Sequence, residues 1–508
     1  MWVLSKEEMR FYDKYTIEKR GIPGKELMEN AGRGCAQFLR NEILESAGVV
    51  RDLAQKIIVF CGNGNNGGDG FVIARYLKQW EYKVEIVFTG RKEKMSPETR
   101  ENYAECLKLE IPIRSIQEEK AWKKAEIDLE NYDVLVDAIF GIGFQGEVEG
   151  FYKELFKIIN QADLPKIAID ISSGTEADTG KAANAIISDY TLTMAAFKYG
   201  HFLGEGSEKA GEVLVIDIGI PEEVFLKYPP AGKLVTVDNV KFPLRYKSSH
   251  KGNYGKIGII AASPGYSGAA IMSARAALRA GAGLIKLFHP TGMESIFETA
   301  LTEVMTHPIP LLKNKEIDSS MLFKQLEDLD ALLVGPGIGT SSQMGKMLEF
   351  LLENWQKAIV LDADALNLIS QRENLKKKLK GKLITPHIGE FARLSGIKIS
   401  QIQADTIQTL KDFAGKYNCY VLLKSFTTVF SDGEKVIFNI TGNDGLSTGG
   451  SGDVLAGIIV SFLGQKLDLE NAAVSASYLL GTTAEKVAET RNPASIIPTD
   501  IIEGLFKY

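Results

Sequence analysis

Two glycine-rich runs concentrate residue types that can do chemistry. The first, GNGNNGGDG at residues 62–70, satisfies G-x-G-x-x-G through Gly62, Gly64 and Gly67, and interleaves Asn65, Asn66, Gly68 and Asp69. Glycines let backbone amides approach phosphates, and the amide and carboxylate side chains between them offer polar contacts to a ligand. Asn and Asp also tolerate left-handed backbone, so a plain structural turn is the competing reading. The second run, NDGLSTGGSGDVLAGIIV at 443–460, sets Gly445, Gly449, Gly450 and Gly452 ahead of an apolar helical stretch. Free N–H groups then converge, with Ser451, on the positive end of a helix dipole. Such a spot suits a phosphoryl group in transfer, with Asp453 in the first turn placed to take a proton from the attacking hydroxyl. A helix start that is merely glycine-rich is the bland alternative, and the absence of G-x-x-x-x-G-K-[ST] excludes a P-loop.

Two further loops belong with the first run. Strand 134–137 leads into FGIGFQGE at 140–147, and strand 166–170 into ISSGTEADTG at 171–180. In a doubly wound sheet these loops open on one edge, where ligands bind at a topological switch point. There Asn66, Asp137 and Ser173 supply oxygens suited to a hard cation, and Asp170 at a strand tip is a natural acid or base. The NAD-dehydrogenase reading of the first loop is weak, because the acidic residue expected about 20 positions on is Glu85, inside the next strand. In the second half, GPGIG (335–339), LDADALN (361–367), TPHIGE (385–390) and LKSFTTV (423–429) again follow apolar strands. His387 in such a loop is a ligand contact or a buried structural histidine; His289 and His307, each before a proline, read as structural.

The elements that must position these loops are legible in the rhythm of the chain. Short apolar runs at 56–61, 84–88, 134–140 and 166–170 each precede a loop and an amphipathic stretch, the pattern of βαβ units on a parallel sheet. The rhythm lapses around Pro221, Pro229, Pro230 and Pro243 and resumes at 256–261, which places a boundary near 235 and gives two α/β domains, 1–235 and 236–508. Two domains also suit 508 residues.

Hydrophobic residues at 45%, charged residues at 24% and a net charge of −6 describe a globular chain without a basic nucleic-acid face. Residues 1–240 carry 30 basic against 39 acidic side chains and the remainder 29 against 26, so neither half is strongly basic. The densest basic run, Lys376 to Lys382, reads as a solvated face. Four scattered cysteines (Cys35, Cys61, Cys106, Cys419) argue against a disulfide framework or a zinc site. The start of the chain reads as a helix with a Ser5–Glu8 capping box instead of a signal peptide, and the longest apolar stretch, Val454 to Leu463, is too short to span a bilayer. A cytoplasmic protein that binds neither membrane nor nucleic acid is expected.

The motifs GNGNNGGDG, VDAIFGIG (136–143), IDISSGTEADTG (169–180) and TLTMAAFKYGH (191–201) resemble those of the NAD(P)H-hydrate epimerases over about residues 1–215. The resemblance implies that Asn65, Asn66, Gly67, Gly68 and Asp69, with Gly141, Ile142, Gly143, Phe144, Gln145, Gly146 and Glu147, hold a hydrated dinucleotide beside Asp170. It also implies a potassium ion on Asn66, Asp137 and Ser173. Ser172 stands where that family usually has proline, freeing one backbone φ.

From about 245 to 505 the chain resembles the ADP- or ATP-dependent NAD(P)H-hydrate dehydratases of the ribokinase-like superfamily, on the block 250–284, LDADALN and GGSGD (449–453). By that resemblance Ala269, Gly337, His387 and Asp453 contact the hydrated dinucleotide, Lys424, Ser425, Phe426, Thr427, Thr428 and Gly452 the adenine nucleotide, and Gly449 to Gly452 form the anion hole. Ser425 replaces a usual glycine, and Ala261-Ala262 a glycine pair.

The combined expectation is a Rossmann-like domain and a ribokinase-like domain in one repair enzyme for NADHX and NADPHX. The first epimerises the R and S hydrates at C6. The second uses ADP, alternatively ATP, with Mg²⁺ to dehydrate the S form, releasing AMP and phosphate when ADP is the donor. Open α/β domains of this kind commonly pair, so a homo-oligomer is expected. The rival readings are a small-molecule kinase, a non-catalytic nucleotide sensor and a hydride-transferring dehydrogenase.

Overall fold

The computed structural model describes residues 1–44, 55–125 and 127–505. The chain divides into two compact units, Met1–Gly232 and Lys233–Tyr508.

Seven strands form the sheet of the first unit: β1 (Lys56–Cys61), β2 (Lys83–Phe88), β3 (Ile113–Ser115), β4 (Val134–Ala138), β5 (Lys166–Ile169), β6 (Tyr190–Met194) and β7 (Glu212–Ile216). Their order is β3-β2-β1-β4-β5-β6-β7, and every pairing is parallel. The chain moves outward from β1 to β3, then returns to the other side of β1 at β4. The β1/β4 junction is thus the point where loops diverge and a ligand crevice opens.

Successive residues of a strand point to opposite faces. In β1, Ile57, Val59 and Cys61 join one apolar core, and Ile58 and Phe60 the other. A strand buried on both faces has to read as a continuous apolar run, which is why 56–61 lacks alternation. Helix α1 (Lys6–Arg20) begins at Ser5, whose hydroxyl accepts from the Glu8 amide while the Glu8 carboxylate accepts from Ser5 N; both halves of the expected capping box are present.

The second unit is built on β8 (Lys256–Ile260), β9 (Leu284–His289), β10 (Met305–Pro308), β11 (Ala331–Val334), β12 (Ala358–Leu361), β13 (Leu383–Ile384), β14 (Tyr420–Leu423), β15 (Thr428–Ser431) and β16 (Val436–Asn439). These run β10-β9-β8-β11-β12-β13-β14-β15-β16, parallel up to β14 and antiparallel for the last two pairings. The apolar stretch 454–463 is the body of a buried helix, Ser451–Gly464. Gly457 lets that helix close on Ser267–Arg279, because a Cβ there would lie 2.2 Å from the Ser273 carbonyl oxygen. No helix among the described residues is long and apolar enough to cross a membrane.

The basic run is only partly a solvated face. Lys376 pairs with Glu373, and Lys378 with Glu349 and Glu353, so the charges are neutralised locally.

Candidate functional sites

In the first unit, the loops after β1, β4 and β5, helix α1 and the helix Gly24–Phe38 line a cavity of about 600 Å³. The glycines after β1 act through sterics. A Cβ on Gly62 would sit 2.0 Å from the Ile139 carbonyl oxygen, and one on Gly67 2.0 Å from that of Gly62, so neighbouring loops pack backbone to backbone. Helix α2 (Asn65–Gln79) starts in this turn. Asn65, Asn66 and Asp69 line the cavity, and Gly67 and Gly68 pack behind. From the second loop Gly141, Ile142, Gly143 and Phe144 line it; Gln145, Gly146 and Glu147 do not, and the Gly146 amide is held by Glu176 at 2.9 Å. Glu85 takes no part: it lies within β2, pairs with Arg114 and accepts from the Tyr132 hydroxyl.

Asp170 falls one residue past β5, with φ +68°, so the expected strand 166–170 ends earlier. The turn swings its carboxylate towards the cavity. Oδ2 accepts from the Ile142 amide at 3.2 Å, and Oδ1 from the Lys198 ammonium at 2.7 Å. Lys198 is fully buried and also donates to Thr193 Oγ1 (2.7 Å) and the Met194 carbonyl (2.8 Å). Burial pushes the Asp170 carboxyl up, but the charge and hydrogen bond of Lys198 and the Ile142 amide outweigh it, leaving the group below the usual carboxylate range. His201 Nδ1 accepts from Lys198 N at 3.1 Å, so its Nε2 carries the proton shared with the Asp170 carbonyl at 3.0 Å. Burial drives His201 down to about 3, which keeps it neutral.

Behind this wall, Asp137 is sealed from solvent. Its oxygens accept from the Ser173 amide (2.8 Å), the Ser173 hydroxyl (2.6 Å) and the Ile139 amide (3.2 Å). Burial raises it to about 6 against these hydrogen bonds. Asn66 is buried with neither side-chain oxygen nor nitrogen partnered. Asn66 is among the residues that line the cavity, whereas Asp137 and Ser173 are not and are bonded to each other. Ser172, at the position of the missing proline, is tied by its hydroxyl to Ser188 Oγ and the Lys209 carbonyl, both at 3.0 Å. The constraint lost with the ring is replaced by two hydrogen bonds.

In the second unit, Gly450 takes φ +108° as N-cap of helix α3 (Ser451–Gly464), and Asp453 stands in its first turn. A Cβ on Gly452 would lie 3.2 Å from Lys424 Nζ and 4.0 Å from Asp362 Oδ2, whereas Gly449 has open space beside it. Lys424 and Asp362 form an ion pair of 2.7 Å at that point, with Asp362 almost completely buried. Asp453 is pushed up to about 7, mainly by burial and then by the Asp362 charge, with Lys424 opposing.

Gly337 (φ +63°) brings its loop against Tyr266 and Ala269, and the Ser263 hydroxyl fastens it through the Gly337 carbonyl at 2.7 Å. His387 is not buried, its side chain being 54% exposed; Nδ1 accepts from the Gly389 amide and caps helix Ile388–Ser395. A bridge between His387 and Lys424 joins the TPHIGE loop to the LKSFTTV loop. Within the latter, Ser425 and Phe426 are exposed, Thr427 is buried with an unpartnered hydroxyl, and Thr428 opens β15. Ala262, which replaces a usual glycine, holds φ +77° with its amide on the Pro336 carbonyl, so the backbone path is kept at the cost of strain.

Sequence reasoning passed over Lys198, Asp362 and Asp13, although the first two sit inside quoted motifs. A lysine in an apolar run and an aspartate beside another aspartate carry no signal of what they face.

Two α/β units, each with a carboxylate at a glycine-built loop on the carboxyl edge of its sheet, define a two-site enzyme scaffold for phosphate-bearing ligands. Residues 257–507 match the family described as NAD(P)H-hydrate dehydratase, and residues 24–200 that described as YjeF-related protein N-terminus. A bifunctional NAD(P)H-hydrate repair enzyme from Moorella thermoacetica is 34% identical, over 99% of this chain and 96% of its own length. One from Escherichia coli K12 is 30% identical, over 98% of this chain and 92% of its own. The chain belongs to the bifunctional NAD(P)H-hydrate repair enzyme family. Among solved structures, a ribokinase-like superfamily protein from Enterococcus faecalis is 28% identical, covering 55% of this chain and 95% of that chain with a TM-score of 0.49.

Proposed function

We propose that residues 1–235 interconvert the R and S forms of NADHX and NADPHX at C6, and that residues 236–508 dehydrate the S form at the expense of ADP, or alternatively ATP. The observation that carries this reading is the end-to-end match to repair enzymes of a chain with two separate carboxylate sites. In the second unit, the amides of Gly449, Gly450, Ser451 and Gly452 receive the transferring phosphoryl group. Asp453, titrating near 7, takes the proton of the C6 hydroxyl. Phosphorylation turns hydroxide, a poor leaving group, into phosphate, a good one. Ala269, Gly337 and His387 border the hydrated dinucleotide, and Lys424 to Thr428 the adenine nucleotide. In the first unit Asp170 is the acid/base group, and Asn65, Asn66, Asp69 and Gly141 to Phe144 hold the dinucleotide.

Potassium fits the chemistry of the first site. Asn66 offers a buried, unpartnered oxygen, and Asp137 is a buried carboxylate without a cationic partner among the described residues. With Ser173 these residues would hold the ion, which supplies positive charge to that pole of the cavity. Mg²⁺ enters with the nucleotide phosphates, as such donors usually bring it. A homo-oligomer acting in the cytoplasm completes the reading.

The test is recovery of reduced-nicotinamide absorbance from an R/S mixture of NADHX with ADP, Mg²⁺ and K⁺, beside ATP and nucleotide-free reactions. Full recovery faster than spontaneous epimerisation supports both activities and identifies the donor. No nucleotide-dependent rise, or a stable phosphorylated product, would replace the dehydratase with a kinase.

A further inference from the structure

We propose that Asp13, on helix α1, is a second catalytic carboxylate of the first unit and works as the acid opposite Asp170. This rests on the epimerase reading of the cavity. Three carboxylates line that space from three elements: Asp13 from α1, Asp69 from α2 and Asp170 after β5. Among the described residues the buried ammonium that pairs with one of these carboxylates is that of Lys198, bonded to Asp170, Thr193 and Met194, whereas the buried Lys6 ammonium donates to the Gly143 carbonyl on the cavity wall. The three acids therefore cannot all be ionised at modest cost, and the one holding the lysine is the one that keeps its charge.

The remaining two differ in access. Asp69 is almost closed to solvent, and burial raises it well above the ordinary range, with Asp170 and Asp13 adding to the effect and Lys198 opposing. Asp13 is half-buried, open to the cavity, and raised to about 6 by burial and Asp170 against Lys198. Arg10, one turn earlier on the same helix, also lines the cavity. Asp13 is thus the accessible group that still carries a proton in weakly acid solution, beside an ionised partner. Pairs of carboxylates whose surroundings push their affinities apart divide acid from base work.

Epimerisation at a carbon bearing both hydroxyl and ring nitrogen is accelerated by such a pair. Asp170 takes the C6 hydroxyl proton, the oxygen pair forms the carbonyl, the C6–N1 bond breaks, and its electrons pass to N1, which accepts the Asp13 proton. Rotation about C5–C6 exposes the other carbonyl face. N1 then re-attacks C6 and returns its proton to Asp13, while Asp170 reprotonates the oxygen. No further reactant is consumed.

The experiment is the pH dependence of R-to-S conversion by the full chain and its variants, with dehydration of S-NADHX by the same preparations as the control for an intact second unit. In the wild type, kcat should fall as pH rises through about 6, as Asp13 loses its proton, while Asp170 stays ionised throughout. Asp13→Asn should lower kcat roughly 100-fold, keep KM within about threefold and abolish that limb. Asp13→Glu should recover part of the rate. An Asp13→Asn chain within about threefold of wild type with the limb unmoved overturns the role of Asp13 alone. A wild type that epimerises without this limb also overturns it, even if the variant fails to fold. A wild type that does not epimerise at all overturns the cavity's proposed function, and this role with it.

Discussion

Each unit sets an aspartate and a mostly buried lysine at the carboxyl edge of its sheet, but the lysines pair differently. In the first, Lys198 grips Asp170 itself at 2.7 Å, so the cavity's central carboxylate stays ionised. In the second, Lys424 is claimed by Asp362 at 2.7 Å, and Asp453, which forms no ion pair among the described residues, is pushed up to about 7. The same two residue types thus yield a fixed charge in one site and a titrating group in the other. What decides is which carboxylate reaches the ammonium, since pairing with a nearby cation can outweigh burial and burial alone favours the proton.

The contrast can be broken at its ends. Asp453→Asn should cost about 10² to 10⁴ in dehydration kcat while leaving epimerisation intact, measured on the two hydrates separately. Lys198→Met strands the Asp170 charge. It should destabilise the first unit by about 3–5 kcal/mol in denaturant unfolding and remove epimerisation, with dehydration by the same chain retained. Asp362→Asn sharpens the comparison. Wild-type dehydration should rise with pH through about 7 as Asp453 ionises. Losing the Asp362 charge and freeing Lys424 both favour the ionised form, so the rising limb should move to lower pH. The smallest effect is expected of Ala262→Gly, which relieves a φ of +77° and should stabilise the second unit by about 0.5–1 kcal/mol, read as a higher melting temperature.

The strands of both sheets, the fingerprint turn before α2 and the glycine-built start of α3 were legible because they are local. A doubly buried strand must be uninterrupted apolar sequence, and a backbone-to-backbone approach such as Gly67 on Gly62 admits no side chain. The pairing of strand 134–138 with the fingerprint strand, and of strand 166–169 with 134–138, follows from the same rhythm. His387 was legible only as a residue in a strand-end loop. Its exposed, helix-capping position depends on the Gly389 amide folding back to it.

The sequence by itself determined which segments would be strands, turns and glycine-built helix starts, and, through its motifs, the resemblance to repair enzymes. Only the tertiary structure decided which charges meet. Lys198 lies 28 residues from Asp170, and Lys424 62 residues from Asp362. Asp13 reaches the same cavity as both Asp69 and Asp170 only once α1 packs there. Electrostatic roles depend on distance and burial, and these are set by how the elements pack, not by the order in which residues follow one another.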